Sequence, residues 1–315
     1  MNIMIMESLG ISLEELNALK VPFEEMNCIF KCYEKTTDIT RLIEQAQDAD
    51  VMILANMAMP AEVINACPEL KFIDIAFTGV DHVAMDTARA RNIVVSNASG
   101  YSNESVAELG VGMVLALLRN IPQVEKRCRS GMTKEGLVGY ELKGKTVGII
   151  GLGNIGKRSA ELYHAFGCRI LAKSRSFNHI LPNYIEQVSL EVLLSQSDIV
   201  LLHCPLNEST RGMINSATLN LMKSTAVLIN LARGPVVVTK DLADALNNDL
   251  IAGAAIDVFD KEPPLDADEP LLHAKNTIVT PHIAFATKES MSLRANIVFE
   301  NLRAWMNGDP KNIVK

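Results

Sequence analysis

Residues 146–167 read TVGIIGLGNIGKRSAELYHAFG, and this stretch restricts the fold more tightly than any other. An apolar run runs into three spaced glycines, and a helical pattern follows and stops at Gly167. Gly151 permits a tight turn, Gly153 lets a ligand approach the backbone, and Gly156 lets helix and strand pack closely. Free amides at the helix start, those of Asn154 and Ile155 among them, face outward and favour phosphate. The context of strand, G-x-G-x-x-G loop and helix predicts a dinucleotide site over Gly151, Gly153, Asn154, Ile155 and Gly156.

The rest of the chain supports that frame. From Lys145 onward six runs read as strands: KTVGII, RILAK, DIVLL, AVLIN, AAIDV and TIVTP. Six is the number a complete dinucleotide fold requires. An earlier series, NIMIM, CIFKCYE, DVMILA, KFIDIAF and NIVVSN, alternates with helical stretches and predicts a second parallel sheet. Between the two series lies SVAELGVGMVLALLRN (Ser105–Asn120), opened by a capping-box pattern of Ser105 and Glu108 and uncharged from Leu109 to Leu118. A helix apolar all round is buried, so it is expected to join two domains or to lie in a subunit interface. A final amphipathic helix, Thr287–Asn307, stops at Gly308 and Pro310 and is expected to pack back on the first domain. The predicted architecture is α/β. A doubly wound parallel Rossmann domain spans 100–284, and a smaller flavodoxin-like α/β domain is built from 1–99 and 285–315.

Composition removes several alternatives. With 48 % hydrophobic residues, 315 residues are ample for two cores. A net charge of −7 without a Lys/Arg block predicts no nucleic-acid surface. No apolar run reaches the roughly eighteen residues of a membrane span, so no membrane partner is expected. MNIMIMESLG lacks a basic leader segment and reads as a first strand rather than a signal peptide. The six cysteines form no C-x-x-C pair and have no histidine at metal-ligand spacing, which predicts no metal and free thiols in a reducing cytoplasm.

About twenty residues beyond the glycine loop, an Asp or Glu usually holds the adenine ribose. Here Ser174 stands at that place, no acid occurs from Leu162 to Ile185, and Arg169, Lys173 and Arg175 do. Arg175 can grip a 2′-phosphate with charge-assisted hydrogen bonds while Ser174 and Ser176 offer hydroxyls. The stretch points to NADP(H). NAD(H) held through its ribose is the alternative.

Three chemically coherent residues follow successive strands: Arg233 in NLARG, Glu262 in DKEPP and His282 in PHIAF. Ligands of open parallel sheets bind outside the carboxyl ends of the strands. An arginine there holds a carboxylate and polarises a neighbouring carbonyl, and an imidazole gives that carbonyl oxygen a proton. A carboxylate beside an imidazole favours its protonated form.

Taken together, FTGVDHV, SVAELGVGM, GLGNIGK, LLHCPLNEST, LINLARGPVV, AAIDVFDKEPP and TPHIA resemble the D-isomer-specific 2-hydroxyacid dehydrogenase family over essentially the whole length. The resemblance implies reduction of a 2-keto acid to the D-2-hydroxy acid, with Arg233, Glu262 and His282 catalytic. It also implies that amides around Thr78, Gly79 and Val80 bind the substrate carboxylate, and that the 1–99 domain binds substrate. Ala232 and Asp257 would contact the nicotinamide carboxamide. His203, Cys204 and Pro205 would line the adenine side, with Thr210 in the same stretch. Relatives pair as homodimers through the cofactor domain. Where the family often has two glycines after the histidine, this chain has Ile283, Ala284 and Phe285, and Phe285 is expected to narrow the site.

Other members of the fold sense dinucleotides as corepressors, usually with added tails or peptide-binding surfaces. The formate branch carries Gln where Glu262 stands, and phosphoglycerate dehydrogenases often carry regulatory domains. In the first domain, Asn56 follows DVMILA and can bond a substrate hydroxyl, while Met57 and Met59 can meet a short apolar tail. No Lys or Arg occurs from Asp50 to Leu70, which argues against a phosphorylated substrate. Glyoxylate and hydroxypyruvate are therefore favoured over lactate-type, aromatic and branched-chain acids.

Overall fold

A computed structural model describes residues 1–175, 180–261 and 264–314. The chain divides into two compact units, Met1–Ser102 with Ala286–Lys315 and Asn103–Phe285.

The smaller unit is a five-stranded parallel sheet of β1 (Asn2–Ile5), β2 (Ile29–Cys32), β3 (Val51–Leu54), β4 (Phe72–Ile75) and β5 (Val94–Asn97). Its order, β2-β1-β3-β4-β5, is the flavodoxin-like one. VMIL and FIDI are buried at every position, as strands covered on both faces must be. The final helix, Lys288–Met306, belongs to this unit, as its sequence predicts. Thr287 and Ser290 close a capping box at its start, and Gly308 follows its end with φ 78°. Its Trp305 stacks on Phe72 with ring centroids 4.9 Å apart, and Phe299 meets Phe23 and Phe30. The C-terminal residues then run antiparallel along β5: Val314 donates to the Val95 carbonyl at 2.8 Å, and Asn97 donates to that of Asn312 at 3.1 Å. Under this seam Asn301 Nδ2 donates to Asp74 Oδ1 at 3.0 Å, while Asn301 Oδ1 accepts from Asn312. Asp74 is fully buried, its Oδ2 has no partner, and desolvation holds its carboxyl well above the usual carboxylate range.

The larger unit holds seven parallel strands rather than the expected six. They are β6 (Thr146–Ile150), β7 (Arg169–Lys173), β8 (Ile185–Gln187), β9 (Ile199–Leu202), β10 (Val227–Asn230), β11 (Gly253–Ile256) and β12 (Thr277–Val279). Strand β8 is the one the sequence does not disclose. It has three residues, of which only Ile185 is buried, and it lies at the sheet edge. In the order β8-β7-β6-β9-β10-β11-β12, the first six strands follow the 3-2-1-4-5-6 dinucleotide-fold sequence and β12 extends it.

The apolar helix runs from Asn103 to Leu118, so Ser105 is buried inside its first turn and does not cap it. Within its own unit it packs on β10, β11 and the helix Asn154–Ala165. A Cβ at Gly110 would come within 3.2 Å of Leu231, so glycine there sets the helix close to β10. All six cysteines are free. Among the described residues no single helix is long and apolar enough to cross a membrane.

Candidate active site

The glycine loop has the geometry a dinucleotide needs. Gly151 has φ 105°, and a Cβ there would lie 2.6 Å from the Cys204 nitrogen, so no other residue fits. A Cβ at Gly156 would strike the Gly151 carbonyl oxygen at 2.0 Å, which is the close helix–strand packing the pattern requires. Gly153 differs: nothing lies within 4 Å of the place its Cβ would take, leaving room over the first turn of the helix that starts at Asn154. The loop therefore fits a pyrophosphate on the amides of Asn154 and Ile155.

At the end of β7, Ser174 Oγ accepts from Gln187 Nε2 at 2.6 Å, and Arg175 is exposed. Gln187 lies on the undisclosed strand β8, so no sequence signal announced it. Ser176 lies outside the described residues. His203 keeps some surface exposure, but its ring is enclosed and bonds Ser159 Oγ at 3.0 Å, while its Nδ1 is buried without a partner. Burial pushes its imidazole down to about 4, so it is neutral near pH 7 and unsuited to acid–base work. An orphaned ring nitrogen beside the glycine loop is a further mark of a ligand site. Burial also pushes the Cys204 thiol up to about 11. Thr210 Oγ1 donates to the Pro205 carbonyl at 2.7 Å and closes the turn after β9.

Arg233 and His282 follow β10 and β12, and Glu262 lies outside the described residues. Two buried polar side chains at neighbouring strand ends tie the first two together. Asn230, the last residue of β10, donates from Nδ2 to the Arg233 carbonyl at 3.0 Å and accepts from the Ala232 amide at 3.1 Å, which folds the arginine turn. Asp257, directly after β11 and fully buried, accepts from Thr280 Oγ1 at 2.6 Å and from the amides of Ile283 and Ala284, each at 2.8 Å. Its own amide donates to Asn230 O at 3.0 Å, and its carbonyl accepts from the His282 amide at 2.7 Å.

One chain of hydrogen bonds thus runs from the Arg233 turn through Asn230 and Asp257 to His282. It holds His282 at φ 57°, a left-handed conformation that persists in non-glycine residues where surrounding bonds impose it. Burial raises the Asp257 carboxyl, against the opposing effects of Thr280, the two amides and His282. Phe285 stands edge-on to the His282 ring with centroids 5.4 Å apart, so it packs on the imidazole. A Cβ at Gly234 would meet the Phe259 carbon at 2.0 Å, so the arginine turn lies flat against the segment leading to residue 262.

In the smaller unit, Thr78, Gly79 and Val80 follow β4, and Asn97 Nδ2 donates to Thr78 O at 2.7 Å. Asn56 is exposed after β3, and its Oδ1 accepts from Lys35 Nζ at 2.8 Å. A cation therefore does stand at this loop, although residues 50–70 contain none. Met57 and Met59 are buried at 1 % and 0 % exposure, which makes them core and corrects the expectation that they face a substrate.

Comparison with known proteins places the chain in a family. Residues 111–284 match the model of the D-isomer specific 2-hydroxyacid dehydrogenase NAD binding domain. A hydroxypyruvate reductase of Blautia hydrogenotrophica is 36 % identical, with 90 % of each chain covered. A glyoxylate reductase of Thermofilum pendens is 40 % identical over 85 % of this chain and 81 % of its own. Among solved structures, an acyclic imino acid reductase (Bsp5) in complex with NADPH and D-Arg superposes with a TM-score of 0.92 at 26 % identity, with 100 % of both chains covered.

Proposed function

The chain belongs to the D-isomer-specific 2-hydroxyacid dehydrogenase family, and from that premise we propose that it reduces hydroxypyruvate and glyoxylate with NADPH. The family and its members make it an NAD(P)-dependent enzyme that interconverts 2-keto and D-2-hydroxy acids. The choice of keto acid and of cofactor is the proposal. Names of the relatives and the exposed polar Asn56 support the small substrates. Arg175 and Ser174 support NADPH, as does the NADPH bound by the imino acid reductase.

The observation that carries the reading is the hydrogen-bond chain from the Arg233 turn to His282. When bound, the nicotinamide supplies hydride; the chain's own residues do the rest. The amides of Gly153, Asn154 and Ile155 would hold the cofactor's pyrophosphate. Arg233 holds the substrate carboxylate in its fork and draws electron density from the adjacent carbonyl. His282 delivers a proton from its ring to the carbonyl oxygen, with Glu262 as its carboxylate partner. In the smaller unit, the amides of Thr78, Gly79 and Val80 are donors suited to a carboxylate. Asp257 and Asn230 fix the two loops so that neither group reorganises during the reaction.

The enzyme works in the cytoplasm as a homodimer through its larger unit, whose exposed Met132, Val138 and Tyr140 offer an apolar surface next to the Asn103–Leu118 helix in sequence. A steady-state matrix of NADPH and NADH against glyoxylate, hydroxypyruvate, pyruvate, phenylpyruvate and branched 2-keto acids tests the reading. Highest kcat/KM for a small acid with NADPH is expected. A preference for phenylpyruvate, or for NADH, would refute the corresponding half.

A further inference from the structure

The smaller sheet changes direction of winding between β1 and β3, and in this strand order ligands gather at that switch point, outside the carboxyl ends. Three polar residues meet there, although the sequence separates them widely. Glu7 follows β1, Lys35 follows β2 and Asn56 follows β3. Glu7 is 5 % exposed, and its Oε1 accepts from the amides of Ala55 and Met57 at 2.8 and 2.7 Å, which fixes the Asn56 loop from both sides. Lys35 Nζ lies 3.7 Å from Glu7 Oε2 and donates to Asn56 Oδ1 at 2.8 Å.

We infer that Lys35 is a specificity-determining positioning residue, which turns the Asn56 amide so that its NH2 is offered to an oxygen on the third carbon of the substrate. An amide has one acceptor and one donor end. With Oδ1 turned to the lysine, the two N–H donors of Nδ2 are directed the other way. Glu7 balances the lysine charge, so the site favours a neutral hydroxyl over a phosphate or a second carboxylate.

Strand β3 pairs with β4, whose following loop holds Thr78–Val80, so Asn56 and those residues follow neighbouring strands at one sheet edge. Glyoxylate has no third carbon, and pyruvate presents a methyl group where Asn56 offers a donor. A donor turned toward the third carbon favours a substrate that carries a hydroxyl there, by the net worth of one hydrogen bond.

This inference rests on the proposed reduction of small 2-keto acids. Steady-state kcat and KM for hydroxypyruvate and for glyoxylate, with NADPH, are compared in the wild type, Lys35→Met and Lys35→Arg. Lys35 is half exposed, so neither substitution threatens folding. In Lys35→Met the KM for hydroxypyruvate should rise about tenfold, the loss expected for one hydrogen bond, with kcat and the glyoxylate KM unchanged. Lys35→Arg, which keeps a donor for Asn56, should recover most of the loss. An equal rise for both substrates, no rise for either, or no recovery with arginine would overturn the inference while leaving the reductase reading intact. A wild type that reduces neither acid would bring down that reading and this one with it.

Discussion

Each unit buries an aspartate beside its parallel sheet, and the two are treated in opposite ways. Asp257 in the larger unit spends its carboxylate on three donors from the loop carrying His282. Asp74 in the smaller unit has one amide partner, Asn301, and an oxygen with none. Burial raises the carboxyl of both. The difference shows what a buried acid is for: one organises a loop of fixed geometry, whereas the other has only the Asn301 amide against its desolvation. The organised one lies at the carboxyl edge, where chemistry takes place. The other lies inside β4, under the seam that holds the C-terminal residues.

The largest expected effect falls on the group that the Asp257 loop presents. With His282 as the proposed proton donor, His282→Ala should lower kcat by about 10² to 10⁴ while NADPH still binds to the untouched glycine loop. Near-normal turnover would mean that the loop is organised for some other purpose.

A second test uses pH. The folded pKa of Asp74 lies above its unfolded value, so between those two values the folded chain holds the extra proton. Stability is complete below the unfolded pKa and is lost as pH rises through the folded one. Asp74→Asn removes that dependence. In urea titrations it should gain on the wild type by about 1.4 kcal/mol per pH unit above pH 4, until the folded pKa is passed. Parallel pH profiles for the two proteins would show that Asp74 finds compensation elsewhere.

The same substitution at the other aspartate should have the opposite sign. Asp257→Asn places an NH2 against donors that need an acceptor, and should cost about 1–3 kcal/mol near neutral pH. kcat should fall with it, because Thr280 and the amides of Ile283 and Ala284, which flank His282, lose acceptors that shape its loop. If both Asp→Asn variants were stabilised at pH 7, the contrast between the two regions would be false.

Much of this was legible in the residues themselves. The β-rich runs locate eleven of the twelve strands because β-branched and apolar runs set between turns leave a clear pattern. Strand β8 was not legible, since it reads Ile-Glu-Gln, with one apolar residue, whereas the equally short β12 at the opposite edge reads Thr-Ile-Val. Arg233 and His282 were readable from their places after strands. The roles of Asn230 and Asp257 were not, because hydrogen bonds between loops after different strands have no sequence signature. Lys35 was missed for a topological reason. It lies 21 residues before Asn56 and reaches it only because β1, β2 and β3 end at one sheet edge. A scan of residues 50–70 for cations answers a question about sequence neighbours, whereas the substrate meets spatial ones.

The proposed reaction, a proton from His282 and a cofactor on the glycine loop turning a small 2-keto acid into its D-2-hydroxy acid, is decided by chiral analysis of the product from wild-type enzyme, NADPH and hydroxypyruvate. Sustained turnover and D-glycerate as the single enantiomer are expected. Formation of the L-enantiomer, a racemate, or no product under saturating NADPH would contradict it.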